Sequence, residues 1–488
     1  MWFLLLACFF LLLLYYTFKH LKYWQSKGIP GPTPLPLVGN IGPGIVGIKT
    51  VSEVLQDIYL KYEDCPFVGI YRMTKPCILL RDPELVKNVL IKDFQYFLNN
   101  DVNIDKKVDP LLARNPFVLK GEEWKKTRQA ATPNFATGKI KSVFPLAVNV
   151  TKDMVEYLEK QKSAAVNAKD MFIMYNCDVV AVCGFGSDGN SFKDPNAQFV
   201  NLARTFLTPG SLQAVKLGVS LLLPNLVTVK LAPKAFDDGV ISLTEQTLKY
   251  RQENNVNRND IFDIISKIPS ASVIDKAAHI ANLIIDGFET SSTSMTFIIY
   301  ELASNQACQK ELRKEINTVL EKNQGELSYE SVQDMVYLDA CIKETMRMHP
   351  PVGHLSKMCT ETYTLTSTGN EYKNMSVTLD KGTPVIIPIL GLHMDPKLFP
   401  SPEKYMPERF LDKSEAAKYV FMPFGNGPRM CLGNRFAMMQ LKVGITELVR
   451  NFEVTLNEKT RQPIKYVPFH FLLYPKGGVW INCKKIDL

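Results

Sequence analysis

Hydrophobic and polar positions alternate along this chain in three regimes. The first is an unbroken apolar run, MWFLLLACFFLLLLYYTF, from Met1 to Phe18, with no charge in it. It has roughly the 17–25 apolar residues needed to cross a bilayer. Tyr15, Tyr16 and Trp24 suit the membrane interface. No Lys or Arg precedes the run, no small-residue cleavage site ends it, and Lys19, Lys22 and Lys27 follow it. This arrangement predicts an uncleaved anchor over 1–18 that leaves the following chain in the cytosol, rather than a signal peptide. The second regime is short. IPGPTPLPLVGN, Ile29 to Asn40, sets four prolines within seven residues and predicts a stiff, extended segment. Residues 19–44 together read as a basic, proline-rich hinge.

The third regime, 45–488, is the body. VSEVLQDIYLKYE has helical spacing, whereas FVGIYRM and PCILLRD are short β-like runs separated by a turn containing Pro76. Helical periodicity dominates from about residue 84 to 350. One segment, Ser272 to Asn305, is apolar nearly all round and predicts a helix buried through the middle of a domain. β-like runs return over 360–390 and 464–483, in TYTLTSTG, MSVTLDKGTPVIIPI, FHFLLYP and GGVWINC. No repeat, low-complexity tract or internal break is visible. The expected fold is mainly α with a minor β region, in one large domain behind one N-terminal transmembrane helix.

Composition changes this picture little. The net charge of +8 is too mild and dispersed for a nucleic-acid footprint, and is compatible with a membrane surface or an acidic protein partner. Ten cysteines are scattered without a C-x-x-C pair, so most are expected to be small buried hydrophobes in a reducing compartment. One of them is placed differently. FMPFGNGPRMCLG, Phe421 to Gly433, sets Cys431 in a loop with three glycines and Arg429, just before a helix-like segment. The glycines permit close approach to a flat partner or positive φ, and the arginine suits a carboxylate. A helix start stabilises a thiolate, and a thiolate ligates iron.

FGNGPRMCLG, Phe424 to Gly433, resembles the haem-binding loop F-x-x-G-x-x-x-C-x-G of the cytochrome P-450 family. The resemblance covers essentially the whole chain, and in texture is nearest to the microsomal members of insects. It implies that Cys431 is the axial thiolate ligand of the iron of haem b, that Phe424 belongs to the haem loop, and that Arg429 pairs with a haem propionate. In WKKTR, Trp124 and Arg128 share a helix face, and the resemblance turns both donors toward a propionate. Lys357, in HLSKMC, stands where an arginine commonly does the same, without the bidentate fork. Glu344 and Arg347 of ETMR, with Arg409 of PERF, are implied to form a buried structural network; HMDPKLFPSPEKYMPERF matches the stretch leading to the haem loop.

In DGFETS the family pattern of a small residue, Gly, any residue, an acid and Thr falls on Asp286 to Thr290, with Asp286 departing from it. Thr290 is expected to bond back to the Asp286 carbonyl and to pass a proton to the oxygen site, replenished by Glu289 through water. The implied function is monooxygenation of a small lipophilic substrate at the endoplasmic reticulum or microsomal membrane. No flavin or nicotinamide fingerprint is present, so electrons are expected from an NADPH-dependent flavoprotein reductase, with cytochrome b5 as a further donor. Lys125, Lys126 and Lys442 are candidates for docking it, or simply solvated charges. Phe288, Val352 to Leu355 and Val467 to Phe471 are expected to line an apolar pocket. Residues 99–120 and the greasy stretch Phe206 to Leu231 would cover it. Two other readings stand beside this one: a reductase-independent haem-thiolate isomerase or dehydratase, and a non-enzymatic haem-based sensor.

Overall fold

The computed structural model describes residues 2, 21–161, 164–194, 196–207, 230–258, 260–268, 271–367, 372–411 and 419–486. The expected anchor, apart from Trp2, lies outside the described residues, as does 208–229 of the expected cover. Among the described residues no helix is long and apolar enough to cross a membrane.

Nine helices carry the argument: α1 (Val51–Lys61), α2 (Gly121–Ala131), α3 (Thr137–Gln161), α4 (Ala168–Val180), α5 (Lys234–Glu253), α6 (Val273–Ser304), α7 (Gln306–Lys322), α8 (Val336–Met348) and α9 (Asn434–Asn451). α6 is the long apolar segment of the sequence. It starts at a capping box in which Ser272 and Asp275 satisfy each other's backbone N–H. From Ala277 onward it is buried on nearly every side, packing on α4 most extensively and also on α5, α8 and α9.

The ten strands among the described residues are β1 (Phe67–Arg72), β2 (Lys75–Leu80), β3 (Asn99–Asn100), β4 (Val166–Asn167), β5 (Leu355–Met358), β6 (Tyr363–Ser367), β7 (Met375–Leu379), β8 (Pro384–Ile387), β9 (Phe452–Leu456) and β10 (Trp480–Lys485). They form a five-stranded sheet in the order β1-β2-β8-β5-β3, a three-stranded sheet β4-β10-β9 and the hairpin β6-β7. In the first sheet, Asn100 lies opposite Lys357, and this register matters for the site. A mainly helical body with minor sheet is therefore as expected, but two local expectations fail. Pro76 is not in the turn; it sits near the start of β2 opposite Tyr71, because Met73 takes the left-handed conformation (φ 57°) and turns the chain first. A strand tolerates proline near its start. FHFLLYP forms no strand: Phe469 takes φ 63°, and a single bridge between Tyr466 and Pro475 closes the segment as a loop.

The segment expected to be a hinge is partly core. Trp24 is 2% exposed, and its indole N–H donates to the Ile70 carbonyl of β1 at 2.9 Å. A Cβ on Gly69 would lie 2.4 Å from that indole, so glycine is required where Trp24 crosses the sheet.

The predicted acid–arginine network is present. Glu344 and Arg347 on α8 are both 0% exposed. Arg347 Nε and Nη2 donate to the two Glu344 oxygens at 2.8 Å each, and Arg409 Nε adds a third bond at 3.1 Å. Arg347 also donates to the carbonyls of His393 and Pro402. The Met422 N–H in turn donates to His393 Nε2 at 3.1 Å. His393 Nδ1 is therefore the protonated nitrogen, facing the Arg347 carbonyl. Burial holds this ring neutral, pushing its pKa down to about 3. α8 is thus tied to the start of the cysteine loop.

Replacing Glu344 with alanine leaves two guanidinium groups unpaired, one of them fully buried. It should cost about 3–5 kcal/mol, read as a lowered denaturant midpoint of the purified holoprotein. Deleting residues 1–20 should leave the body folded, whereas deletion through Ser26 also removes Trp24 and should lower the thermal midpoint clearly below that of the shorter deletion.

Candidate active site

The loop from Phe424 to Gly433 is closed by the Cys431 N–H, which donates to the Phe424 carbonyl at 2.8 Å. Gly425 and Gly427 have φ of 71° and 72°. At Gly427 glycine is also needed for space, since a Cβ there would stand 1.9 Å from the Leu90 carbonyl oxygen. α9 begins three residues after the cysteine, as expected. From α2, Arg128 Nη1 donates to the Met430 carbonyl at 2.6 Å and so clasps the loop next to Cys431.

Cys431 has accessible surface, yet protein surrounds it closely enough that burial pushes its thiol up to about 11. Asp286 on α6 shows the same combination, with its carboxyl raised to about 6 by burial, and its negative charge is felt at Cys431. Both facts hold together because the accessible surface of each faces one interior space between α6 and the loop. As expected from the helix start, the Gly433 N–H favours the anion, and Arg128 adds to it, while burial, and after it the Asp286 charge, work against it.

Three cations gather beside this space. Arg429 lies over the Trp124 ring with 4.3 Å between guanidinium and centroid, and donates to the Pro116 and Leu119 carbonyls at 3.1 and 2.7 Å. Its Nε is buried without a hydrogen-bond partner. Lys357, 3% exposed, donates to Asn100 Oδ1 at 2.8 Å across the β3–β5 pair. Burial, and then repulsion from Arg128, brings Arg429 down to about 10; burial, and then repulsion from Arg429, brings Lys357 down to about 7. Burial also lowers Arg128. Among the described residues, no carboxylate pairs with any of the three. The structure thus brings Trp124, Arg128, Lys357, Arg429 and Cys431 together.

The polar residues of α6 fall on two faces. Asn282, Asp286 and Thr290, at successive spacings of four, share one face. Thr290 Oγ1 donates to the Asp286 carbonyl at 2.8 Å, the back-bond expected from the sequence. Asp286 accepts from Asn115 Nδ2 at 3.1 and 3.4 Å, and the same Nδ2 donates to Asn282 Oδ1 at 2.9 Å. Glu289 is drawn toward α4 instead. Lys169 of α4, 0% exposed, donates to Glu289 Oε1 at 3.0 Å and to Thr293 Oγ1 at 2.7 Å. The other carboxylate oxygen, Glu289 Oε2, has no hydrogen-bond partner among the described residues. A fully buried ammonium needs a counter-charge, and Glu289 supplies it. Lys169 itself was detectable only as a lone lysine in the apolar run AKDMFIMYNCDVV.

Other expected residues sort similarly. Phe288 is 0% exposed in the core instead of lining a pocket. Phe471 and Phe117 do meet, edge to face at 5.8 Å, joining the C-terminal loop to the expected cover. The far end of that cover is tied in by Leu231 and Ala232 N–H groups, which donate to Asp109 at 2.8 and 2.9 Å. Phe424 is half-buried and lines a groove of about 370 Å³ on the outer side of the loop, with Phe144, Met346 and Met439. Lys442 does not reach the surface: it is 5% exposed and paired with Asp339 at 3.1 Å. Lys125 and Lys126 are exposed, the former paired with Glu122.

Comparison with known proteins agrees with this geometry. The family model described as Cytochrome P450 matches residues 29–481. Cytochrome P450 6j1 of Blattella germanica is 35% identical over 481 residues, covering 96% of this chain and 94% of its own. Cytochrome P450 6a2 of Drosophila melanogaster is 33% identical over 501 residues, covering 97% of each. A probable cytochrome P450 6a20 of the same fly is 35% identical over 498 residues, again covering 97% of each. With the family model and insect relatives aligned across nearly the whole length, the chain belongs to the cytochrome P-450 family, whose enzymes are haem-thiolate monooxygenases with an axial cysteine on haem b.

Proposed function

We propose that Cys431 is the axial ligand and that the enzyme, anchored in the endoplasmic reticulum membrane, inserts one atom of dioxygen into a small lipophilic substrate. Electrons come from NADPH through a separate flavoprotein reductase, with cytochrome b5 as a second donor. The observation that carries this reading is the trio Arg128, Lys357 and Arg429, the lysine buried and the arginines half-buried, gathered with no carboxylate partner among the described residues beside an accessible cysteine. Like charges in a low-dielectric interior repel strongly, and a flat dianion with a metal at its centre answers both features. The propionates of haem supply the charge and its iron the partner for sulfur; the residues fit the group. When bound, haem supplies the reductive activation of dioxygen.

The chain's own residues do the rest. Trp124 stacks on Arg429 and fixes its plane. Arg128 holds the loop backbone beside the sulfur. Gly427 lets that loop press against Leu90. Metal ligation, which favours the deprotonated sulfur, offsets the burial that otherwise keeps Cys431 a thiol. Thr290 Oγ1, anchored on the Asp286 carbonyl, is the hydroxyl that moves a proton into the space beside Cys431. Glu289 serves this indirectly, by neutralising Lys169 and holding α6 against α4. The exposed Arg435 at the rim of the outer groove, together with Lys126, offers a cationic surface for an acidic reductase.

Cys431→Ala should abolish the thiolate-type spectrum of the reduced carbon monoxide complex; its retention would assign the ligand to another cysteine. Thr290→Ala should keep haem and lower product per NADPH while peroxide rises, with folding stability changed by less than about 1 kcal/mol. Glu289→Gln should instead cost about 3–5 kcal/mol in unfolding free energy, because Lys169 is left buried and unpaired. An unaltered stability with the same peroxide leak would make Glu289 the proton source after all.

A further inference from the structure

A further cavity, of about 510 Å³, opens between α3 and the end of α4. Its volume is within the range that small-molecule sites occupy. α3 contributes Lys139, Val143 and Leu146, which share one helix face by their spacings of four and three. Facing them is the turn Ala181–Phe185 that prolongs α4, from which Val182 and Cys183 line the cavity. There the backbone widens to a π-helical turn, an arrangement found frequently at functional sites. The turn is held in place from outside. Arg251, 8% exposed, donates to the Phe185 carbonyl at 2.6 Å and pairs with Asp260 and Asp263. Gly186 follows in the left-handed conformation (φ 60°), and a Cβ there would stand 2.9 Å from Arg258 Nη1. The bare glycine is what lets the Arg258 side chain lie against the end of the turn.

Arg258 and Lys139 are the free cations of the rim. Neither side chain has a hydrogen bond or an ion pair among the described residues; only the Arg258 N–H and the Lys139 carbonyl are engaged. Asp260 does not serve Arg258, since both its oxygens accept from Arg251, at 2.8 and 2.6 Å. Asp263 accepts the Arg258 N–H, not its guanidinium. Asp188, the remaining charged group of the rim, is exposed and also unpaired. Below these charges the lining is Val143, Leu146, Val182 and Cys183, with no aromatic ring. Leu146 is 41% exposed, an apolar surface left uncovered beside two cations.

We propose that this cavity binds an aliphatic carboxylate, its head met by Lys139 and Arg258 and its chain laid on Val143, Leu146 and Val182. The planar fork of Arg258 matches a carboxylate. Two cations against one acid on the rim favour a ligand with a single negative charge. A lining without aromatic rings offers nothing for a nucleotide or another flat ligand to stack on, whereas branched aliphatic side chains suit a methylene chain. None of these residues belongs to the site around Cys431, so the assignment stands apart from the haem reading.

The test uses the full-length protein in one non-ionic detergent and a decanoate carrying an aliphatic diazirine. Irradiation links the probe to whatever it lies against, and peptide mass mapping locates the link, so binding elsewhere in the molecule is counted separately. Labelling of 139–146 and 182–188 should saturate and be displaced by plain decanoate. The primary amide of the same probe, which lacks the charge, should label these segments roughly fivefold less. The double variant Lys139→Gln/Arg258→Gln should lose labelling by a similar factor with its thermal midpoint unchanged, because neither side chain has a partner to lose. Leu146→Trp, which fills the cavity from an exposed position, should remove the labelling while leaving both cations in place. Absent or undisplaced labelling in the wild type, equal labelling by the amide, or labelling that survives in both variants would overturn the assignment. Stronger displacement by decyl phosphate than by decanoate would overturn the carboxylate head in favour of a phosphate.

Discussion

Glu344 is the point from which the site is suspended. A carboxylate with no solvent exposure is tolerable only when its charge is met on every side, and here two guanidinium groups and the Met406 N–H meet it. Because Arg347 also reaches His393, and His393 receives the Met422 N–H, the position of α8 is transmitted to the strand-like approach of the cysteine loop. Phe421 stacks on the same imidazole, with centroids 5.5 Å apart. The loop needs this rigidity. Its glycines leave it entropically free in the unfolded chain, and the narrow fit of Gly427 against Leu90 leaves no slack in the folded one.

The central helix obeys the same rule of paired charges in another way. A helix buried nearly all round would ordinarily be apolar nearly all round. α6 instead carries two polar faces. On the side toward α4 Lys169 meets Glu289 and Thr293, and Asn176 Nδ2 meets Ser292 Oγ at 3.0 Å. The face toward the cysteine loop is left partly open, with Thr290 satisfied by its own backbone and Asp286 by one shared amide. The two sets are neighbouring stripes of one helix, with Glu289 about 100° around the axis from Thr290.

This separation explains which residues were legible in the chain alone. Cys431, Arg429 and the glycines of the loop lie within ten residues, so local spacing carried their geometry. Glu344 and Arg347 share a helix face, and the back-bond of Thr290 to Asp286 follows from a spacing of four. Partners far apart in sequence were another matter. Lys169 lies 120 residues from Glu289 and fixes that carboxylate away from Thr290; no periodicity announces it. Lys442 belongs to α9, whose buried face is defined by packing on α3, α6, α7 and α8 together. The FHFLLYP run alternates well enough for a strand, but Phe469 in the left-handed region breaks it, and an edge to pair with was never on offer. Trp24 reads in the chain alone as a membrane-interface residue because an apolar run precedes it, yet it is core, and its packing site on β1 depends on the absence of a side chain at Gly69.

The unmatched cations have a consequence for the life of the polypeptide before it is an enzyme. Arg128, Lys357 and Arg429 crowd one another in the apoprotein, so the chain must assemble this corner against its own repulsion. A dianionic cofactor that binds only the folded form removes that repulsion and adds its own binding free energy to stability, by an amount that grows with its free concentration. Binding of the cofactor and completion of this corner of the fold are therefore linked in one free energy.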